Sequence, residues 1–347
     1  MSPPVVAVAL SGGIDSLVSG YLLKQKYNHV FGLHFRTGYE KDPVDSSLLE
    51  NQLGFPVFCV DLSQAFEEKV VAYFIRTYLE GKTPNPCIVC NREIKFKELM
   101  IRARKMGADV LATGHYAAVV NSFSFPEKKT DRAYLEKAKD SAKDQSYFLS
   151  MLTRDQLERI VFPLAGMKKE DVKTFAQAKG IRPIHPGESQ DICFIHDNDV
   201  SKFILKKQAI KSEPGNIVDM DGKIVGRHTG LHQFTIGQRK GINSPAREAY
   251  YVKRMDMAAN ILEVCFKKDL SVKRFQVKEI NWNEEDRETV PDIMTKIRYS
   301  HRGALSTLIM KGSSGEVVFH EAQNAVTPGQ AAVFYRGVRV LGAGIIQ

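Results

Sequence analysis

The sequence predicts an α/β protein: an N-terminal doubly wound parallel sheet, then a small central domain, then a C-terminal β-barrel. Three observations point there. Up to about residue 200, apolar runs of strand length alternate with amphipathic runs of helical length. Beyond it, Gly-containing turn dipeptides become frequent and the runs between them shorten. The first strand also leads straight into a glycine turn that opens a helix, the place where doubly wound sheets bind nucleotides.

Val5–Leu10 (VVAVAL) is apolar throughout, as a strand covered on both faces must be. A helical stretch follows from about Asp15 to Lys26. His29–His34 and Val57–Asp61 read as further strands, and Gln64–Glu80 as a helix. Phe96, Leu99, Met100, Ala103 and Met106 keep helical spacing on a helix that stops at Gly107, and Asp109–Thr113 (DVLAT) is another strand. This β-α-β-α order implies a mainly parallel sheet. After residue 200 the turn strings EPGN, MDGK, KGSSGE and TPGQ separate runs such as KIRYS, EVVFH and AAVFY, which suggest short antiparallel strands. Boundaries near 200 and 270 give a catalytic domain at 1–200, a small central domain at 201–270 and a barrel at 271–347. SFSFPEKKTD (122–131) is the best candidate for a mobile loop.

A chain of 347 residues, 43% hydrophobic and 26% charged, has ample core for two or three domains. No apolar run approaches the roughly 20 residues of a membrane span, and a signal-peptide pattern is lacking, so no membrane role is expected. The net charge of +9 is unevenly spread. Residues 1–200 carry 26 Lys and Arg against 25 Asp and Glu, whereas residues 201–347 carry 23 against 15. A basic C-terminal part suits a polyanionic partner; a merely solvated basic surface is the plainer account. Five scattered cysteines are no disulfide scaffold, and they suit a reducing cytoplasm where thiols react or ligate.

In SGGIDS (Ser11–Ser16), Gly12 and Gly13 let the backbone turn and present bare N–H groups. Ser11 and Ser16 add hydroxyls, and the helix that follows points its positive end at the turn. That is a phosphate cradle, with Asp15 suited to hold Mg²⁺ or to cap the helix. The GxxxxGK[ST] loop of γ-phosphate transfer is absent. SGGIDS resembles the PP-loop of the ATP pyrophosphatase group, whose members adenylate a carbonyl oxygen and expel pyrophosphate. ATGHY (Ala112–Tyr116) ends a strand where ligands sit in such sheets; Gly114 would allow an adenosine close, and His115 is either in the same crevice or simply a cap. KDQSYFL (143–149) offers Lys143, Asp144 and Gln145 at a helix start, functional or a plain N-cap.

TPNPCIVCNREIK (83–95) sets Cys87 and Cys90 three apart, and Cys193 lies a hundred residues on in ESQDICFI. Cys59 and Cys265 read as small core residues. A structural zinc site would need a second CxxC or a His pair, and neither is present. In order along the chain come SGGIDS, GKTPNPCIVCNREIKFK, ATGHY, KDQSYFL, ESQDICFI, GQRKG, RYSHR and TPGQAAVFY. This series resembles the MnmA-type tRNA 2-thiouridylases from about residue 5 to the end. The resemblance implies a PP-loop (Rossmann-like) domain, a small central domain and a C-terminal β-barrel. It implies ATP-dependent conversion of the C2 carbonyl of uridine 34, at the tRNA wobble position, to a thiocarbonyl. By the same resemblance Cys193 is the persulfide carrier and Cys90 its partner thiol, able to attack the persulfide or close a disulfide. Ala9, Leu10, Ser11, Gly12, Gly13, Ile14, Asp15, Ser16, Phe35 and Gly114 would line the ATP site, with Mg²⁺ as companion. Asn85, Pro86 and Cys87 would face the target base, and His115, Lys143, Asp144, Gln145, Arg298, Tyr299 and Gln330 would touch tRNA. The expected partners are tRNA and a sulfur donor such as a cysteine desulfurase, a relay protein or sulfide.

Two departures stand out. The best-known members carry an aspartate where this chain has Cys87, which leaves three thiols. Cys87, Cys90 and Cys193 with one open iron position would suit a 4Fe–4S iron–sulfur cluster holding sulfide, an alternative to the persulfide pair. The segment HFRTGYEKDPVDSS is shorter than in many members and lacks their Lys-Asn-Trp string, which bears on Phe35. Two other classes compete: a PP-loop ligase with a nitrogen nucleophile, which would need neither Cys90 nor Cys193, and a non-catalytic RNA-binding protein with a vestigial loop.

Overall fold

The computed structural model describes residues 3–121, 123, 132–184, 192–197, 199–208, 212–285 and 287–347. Most of the 122–131 loop and the Glu188–Asp191 part of ESQDICFI lie outside them. The chain divides into two compact units. The first comprises Met1–Val70, Cys87–Phe194 and Arg336–Leu341; the second comprises Val71–Pro86, Ile195–Tyr335 and Gly342–Gln347.

In the first unit, β1 (Val5–Ala9), β2 (His29–Arg36), β3 (Val57–Asp61), β4 (Val110–Ala112) and β7 (Ile160–Val161) form a sheet ordered β3-β2-β1-β4-β7. Every pairing is parallel. The chain walks outward from β1 to β3, then returns to the other side of β1 as β4. The C-terminal ends of β1 and β4 therefore flank the point where the winding reverses, and ligand crevices form there. Val6, Val8, Leu10, Val110 and Ala112 are buried with Leu17, Val18 and Leu23 of the helix Ile14–Lys26. Continuous apolar strands thus find cover on both faces, as their sequence requires. The unit also holds a hairpin absent from the sequence reading, β5 (Ala117–Val120) against β6 (Tyr134–Lys137).

The helix expected at 64–80 consists of Ser63–Phe66, a π-helical stretch Glu67–Val71 and Ala72–Leu79. The cysteine-bearing helix is likewise compound: Pro86–Val89, π-helical Cys90–Glu98, then Leu99–Lys105. Apolar spacing alone does not distinguish α from π winding, so the sequence gives no sign of either insert.

In the second unit, β8 (Gly215–Val218), β9 (Ile224–His228), β10 (Tyr251–Asp256) and β11 (Ile261–Cys265) form a sheet ordered β10-β11-β8-β9. One pairing, β11 with β8, is parallel, against the all-antiparallel expectation. The long excursion from residue 229 to 250 brings the chain back in the same direction. Ile217, Leu231, Phe234, Ile242, Val252, Leu262 and Val264 make its core. Further on, β12 (Ser271–Trp282), β13 (Thr289–Lys296), β14 (Ala304–Lys311), β15 (Ser314–Asn324), β16 (Ala331–Arg336) and β17 (Arg339–Ile346) run in the order β12-β15-β14-β13-β16-β17. Pairing of β12 with β17 closes a six-stranded barrel and removes the free edges. Among the described residues no helix is long and apolar enough to cross a membrane.

Candidate functional site

The turn after β1 is built before any ligand arrives. Gly12 has φ +80°, a conformation that glycine adopts without strain. A Cβ there would lie 3.3 Å from Cβ of Ile184, whose N–H donates to the Gly12 carbonyl at 2.9 Å. Ser16 Oγ accepts from the Ser11 N–H at 3.2 Å and donates to the Gly13 carbonyl at 2.8 Å. Ser11 itself stays exposed. A buried histidine that the sequence reading missed, His34, lies with Nδ1 2.9 Å from the Leu10 carbonyl. Since a carbonyl only accepts, the Nδ1 proton is the donor. Phe35, next to it on β2, is half-buried.

Asp15 does not cap the helix: Gly13 is the N-cap and no side chain bonds there. Instead Asp15 Oδ1 accepts from the Tyr116 hydroxyl at 2.8 Å and from Lys169 Nζ at 2.8 Å, and Oδ2 accepts from Lys169 Nζ at 2.6 Å. Gly114 packs on the same turn. A Cβ on it would fall 2.8 Å from the Asp15 carbonyl carbon and 2.9 Å from the Ser16 nitrogen. Its smallness is needed by protein backbone, whatever it also does for a nucleotide.

His115 faces a different neighbour. Lys95 Nζ stands 3.4 Å from His115 Nε2, and Thr113 Oγ1 stands 2.7 Å from Nδ1. An ammonium can only donate, so Nε2 accepts and the proton sits on Nδ1. Burial, helped by the Lys95 charge, pushes the His115 pKa well below the usual histidine range, which keeps the ring neutral.

Lys95 is also the shared cation of the three thiols. Burial pushes the Cys90 thiol up to about 12; the Lys95 ammonium offsets part of this, and the Cys193 and Cys87 sulfurs add to it. Burial raises Cys87, opposed by Lys95. Burial raises Cys193 as well, with Cys87 adding and Lys95 opposing. Cys87 and Cys193 are exposed and Cys90 is half-buried. All three are free thiols. Among the described residues, no group of three His, Cys, Asp or Glu is placed to hold a metal ion.

Two anchors hold this thiol group. Gln156 Nε2 donates to the carbonyls of Arg92 and Phe96 at 2.8 and 3.0 Å, satisfying backbone in the π-helical stretch. Phe194, next to Cys193, is buried with its ring 5.8 Å from those of Tyr39 and Phe66.

Several residues expected at tRNA are held by the protein itself. Asp144 is buried; its Oδ1 accepts from the N–H groups of Ala138 and Ser146, and its Oδ2 from the Ser146 hydroxyl. Gln145 Oε1 accepts from the Tyr116 N–H at 3.0 Å. Lys143 is half-buried beside them. In the second unit Pro86 is buried and Asn85 half-buried. Gln330 Nε2 donates to the Thr83 and Pro84 carbonyls at 2.9 and 3.3 Å, and the Thr83 N–H donates to the Pro328 carbonyl at 2.8 Å. Gln330 thus straps the turn that leads to Asn85. Arg298 lies 3.4 Å from the Asn324 and Ala325 carbonyls. Tyr299 is 40% exposed, with Lys296 Nζ 5.6 Å from its ring centre. Gln330→Ala is expected to cost about 1–2 kcal/mol of local stability, faster hydrogen exchange at the Thr83 amide being the readout. Unchanged exchange would leave the strap without consequence.

Comparison with known proteins covers the whole chain. Residues 4–197 match the family model described as tRNA methyl transferase HUP domain. Residues 201–266 match the tRNA methyl transferase PRC-barrel domain, and residues 272–346 the aminomethyltransferase beta-barrel domain. A tRNA-specific 2-thiouridylase MnmA from Desulfosudis oleivorans is 46% identical over 349 residues, covering 100% of this chain and 96% of that protein. The protein of that name from Syntrophotalea carbinolica is 40% identical, covering 98% of each. The one from Clostridioides difficile is 36% identical, covering 99% of this chain and 98% of that protein.

Proposed function

The chain belongs to the tRNA-specific 2-thiouridylase family, and from that premise we propose that it thiolates uridine 34 of tRNA at C2, using ATP and a cysteine persulfide. The observation that carries this reading is the pairing, within one unit, of a preformed phosphate turn at Ser11–Ser16 with three free thiols around Lys95.

The C2 carbonyl oxygen is a poor leaving group, so the reaction begins by transferring the adenylyl group of ATP to it, releasing pyrophosphate. Gly12, Gly13, Ser11 and Ser16 hold the phosphates through N–H and hydroxyl donors at the start of the helix Ile14–Lys26. Mg²⁺ accompanies the nucleotide and neutralises its charge. Cys193 receives a sulfur atom from an external donor, a cysteine desulfurase, a relay protein or sulfide with an oxidant, and carries it as a persulfide. The terminal sulfur bonds to C2 and AMP departs. The Cys90 thiolate attacks Sγ of Cys193, breaking the sulfur–sulfur bond and supplying the electrons that leave the transferred sulfur reduced. The Cys90–Cys193 disulfide is then reopened by an external dithiol. Arg298, Tyr299 and the basic C-terminal part grip the tRNA backbone, and the TPNP turn strapped by Gln330 presents Asn85 to the splayed base. No step runs through an iron–sulfur cluster. A reducing cytoplasm is the setting that keeps these thiols competent.

The test is reconstitution: purified chain, ATP, Mg²⁺, a uridine-34 tRNA and a persulfide donor should give 2-thiouridine, AMP and pyrophosphate in equal amounts. Pyrophosphate without thiouridine, with activity insensitive to loss of both Cys90 and Cys193, would favour an amide-forming ligase instead.

Lys95 should set the pH dependence. With burial pushing the Cys90 thiol up to about 12, it is overwhelmingly protonated at neutral pH. The reactive form grows tenfold per pH unit below that value, so single-turnover sulfur transfer should rise with pH across the neutral range. Lys95→Met removes the ammonium that favours each thiolate, so the profile should move to higher pH and the neutral-pH rate fall about tenfold. An unshifted profile would take Lys95 out of the reaction.

A further inference from the structure

Residues 9–16 carry no basic side chain; the charge on this phosphate turn is the carboxylate of Asp15, which repels the ligand that the turn is built for. Backbone amides and hydroxyls offer only partial positive charge. Lys169 changes that balance. It lies 154 residues away in sequence, yet its Nζ reaches both oxygens of Asp15 at 2.8 and 2.6 Å. Its side chain is 7% exposed, against 30% for Asp15, so the ammonium is held beneath the carboxylate rather than waving in solvent. Tyr116 bonds the same carboxylate through its hydroxyl and offers its ring to the ammonium at 5.8 Å. The main chain is fixed too: Lys169 opens the helix Lys169–Ala178, and its N–H donates to Asp140 Oδ2 at 2.9 Å.

Taking an ammonium and a carboxylate out of water is poorly repaid as stability, so a pair this enclosed beside a ligand turn calls for a use. We propose that Lys169 is the cation of the phosphate turn, binding the terminal phosphates that leave as pyrophosphate, and that Asp15 and Tyr116 are positioning residues that aim its ammonium. On this assignment Asp15 acts on Lys169 and is not a ligand of Mg²⁺. The inference rests on the reading that the turn takes ATP. A lysine suits the task because its compact charge can slide from a carboxylate to a phosphate oxygen within one side-chain rotation.

Calorimetric titration of the full chain with ATP, AMP and inorganic pyrophosphate, without tRNA and over a series of Mg²⁺ concentrations, tests it. Lys169→Met is expected to weaken ATP and pyrophosphate roughly ten- to hundredfold while leaving AMP within about twofold. Tyr116→Phe, which removes one hydroxyl, should weaken pyrophosphate several-fold in the same direction and serves if the methionine variant does not fold. Asp15→Asn should weaken pyrophosphate without raising the Mg²⁺ needed for half-saturation. Folded Lys169→Met that binds pyrophosphate like the wild type would overturn the assignment. So would Asp15→Asn raising the Mg²⁺ requirement while Lys169→Met leaves pyrophosphate binding intact, since Asp15 would then be the metal ligand and Lys169 its counter-ion. Wild-type chain that binds no ATP at all would sink the proposed function itself, a separate result.

Discussion

Cys193→Ala is expected to abolish formation of 2-thiouridine, by at least about 10³-fold, while tRNA-dependent release of pyrophosphate continues. The alanine keeps the fold because the residue's side chain reaches solvent and its anchoring falls to the neighbouring Phe194. What is lost is the only atom on which the persulfide is carried in the proposed reaction. Cys90→Ala should differ in kind. Chain preloaded with a persulfide has lost the thiol that releases the sulfur, so even a single turnover should slow by about two orders of magnitude or more. Cys87→Ala should stay within about threefold of wild type, since no step uses it. Mass spectrometry of tRNA nucleosides, alongside a pyrophosphate assay, separates the three variants. Thiolation persisting in Cys193→Ala with a persulfide donor would move the carrier to another thiol. Loss in Cys87→Ala would bring that thiol into the sequence of events.

Gly114→Ala should be almost as damaging to the other half of the reaction, for a purely steric reason. The added methyl would stand 2.8 Å from the Asp15 carbonyl carbon, 2.9 Å from the Ser16 nitrogen and 3.0 Å from the Asp15 oxygen. All three are backbone atoms of the phosphate turn, so no side chain can swing aside. Overpacking of this sort costs about 1–3 kcal/mol. Because the strain falls on the turn itself, ATP affinity should drop at least about tenfold, the equivalent of roughly 1.4 kcal/mol. Gly166→Ala is the matched control: a Cβ there meets nothing within 4 Å. Nucleotide titration and a thermal midpoint on both variants decide the matter. An unchanged affinity in Gly114→Ala would mean that the turn yields where its packing says it should not.

β1 and β4 were legible in the sequence because strands buried inside a sheet are apolar throughout; β3, at the sheet edge with Phe58 and Cys59 exposed, is still observed over the residues expected, Val57–Asp61. The phosphate turn was legible because glycine, serine and helix start are contiguous. Lys169 was not. It belongs to a run of surface-like lysines, MKKEDVK, and only tertiary structure turns one of them inward onto Asp15. Lys95 was hidden in the same way inside NREIKFK. Gln330 and Gly329 read as an ordinary turn, although Gln330 bonds backbone about 250 residues earlier, and a Cβ on Gly329 would meet Thr83 within 3.0 Å. Asp144 and Gln145 carried the chemistry of binding residues, yet their oxygens accept from the protein's own main chain. Polar side chains advertise donors and acceptors; they do not reveal whether the partner is another molecule or the same chain.

The four residues Thr113–Tyr116 have a consequence of a thermodynamic kind. Gly114 rests on the phosphate turn, His115 meets Lys95 through its imidazole, and Tyr116 reaches Asp15. One short segment thus touches both the phosphate turn and the cation shared by the thiols. Reciprocity follows: whatever factor bound ATP applies to the proton affinity of the thiols, thiol ionisation must apply to the affinity for ATP. Titrating the cysteines with and without nucleotide, and weighing nucleotide binding at two pH values, should close that square with a single number.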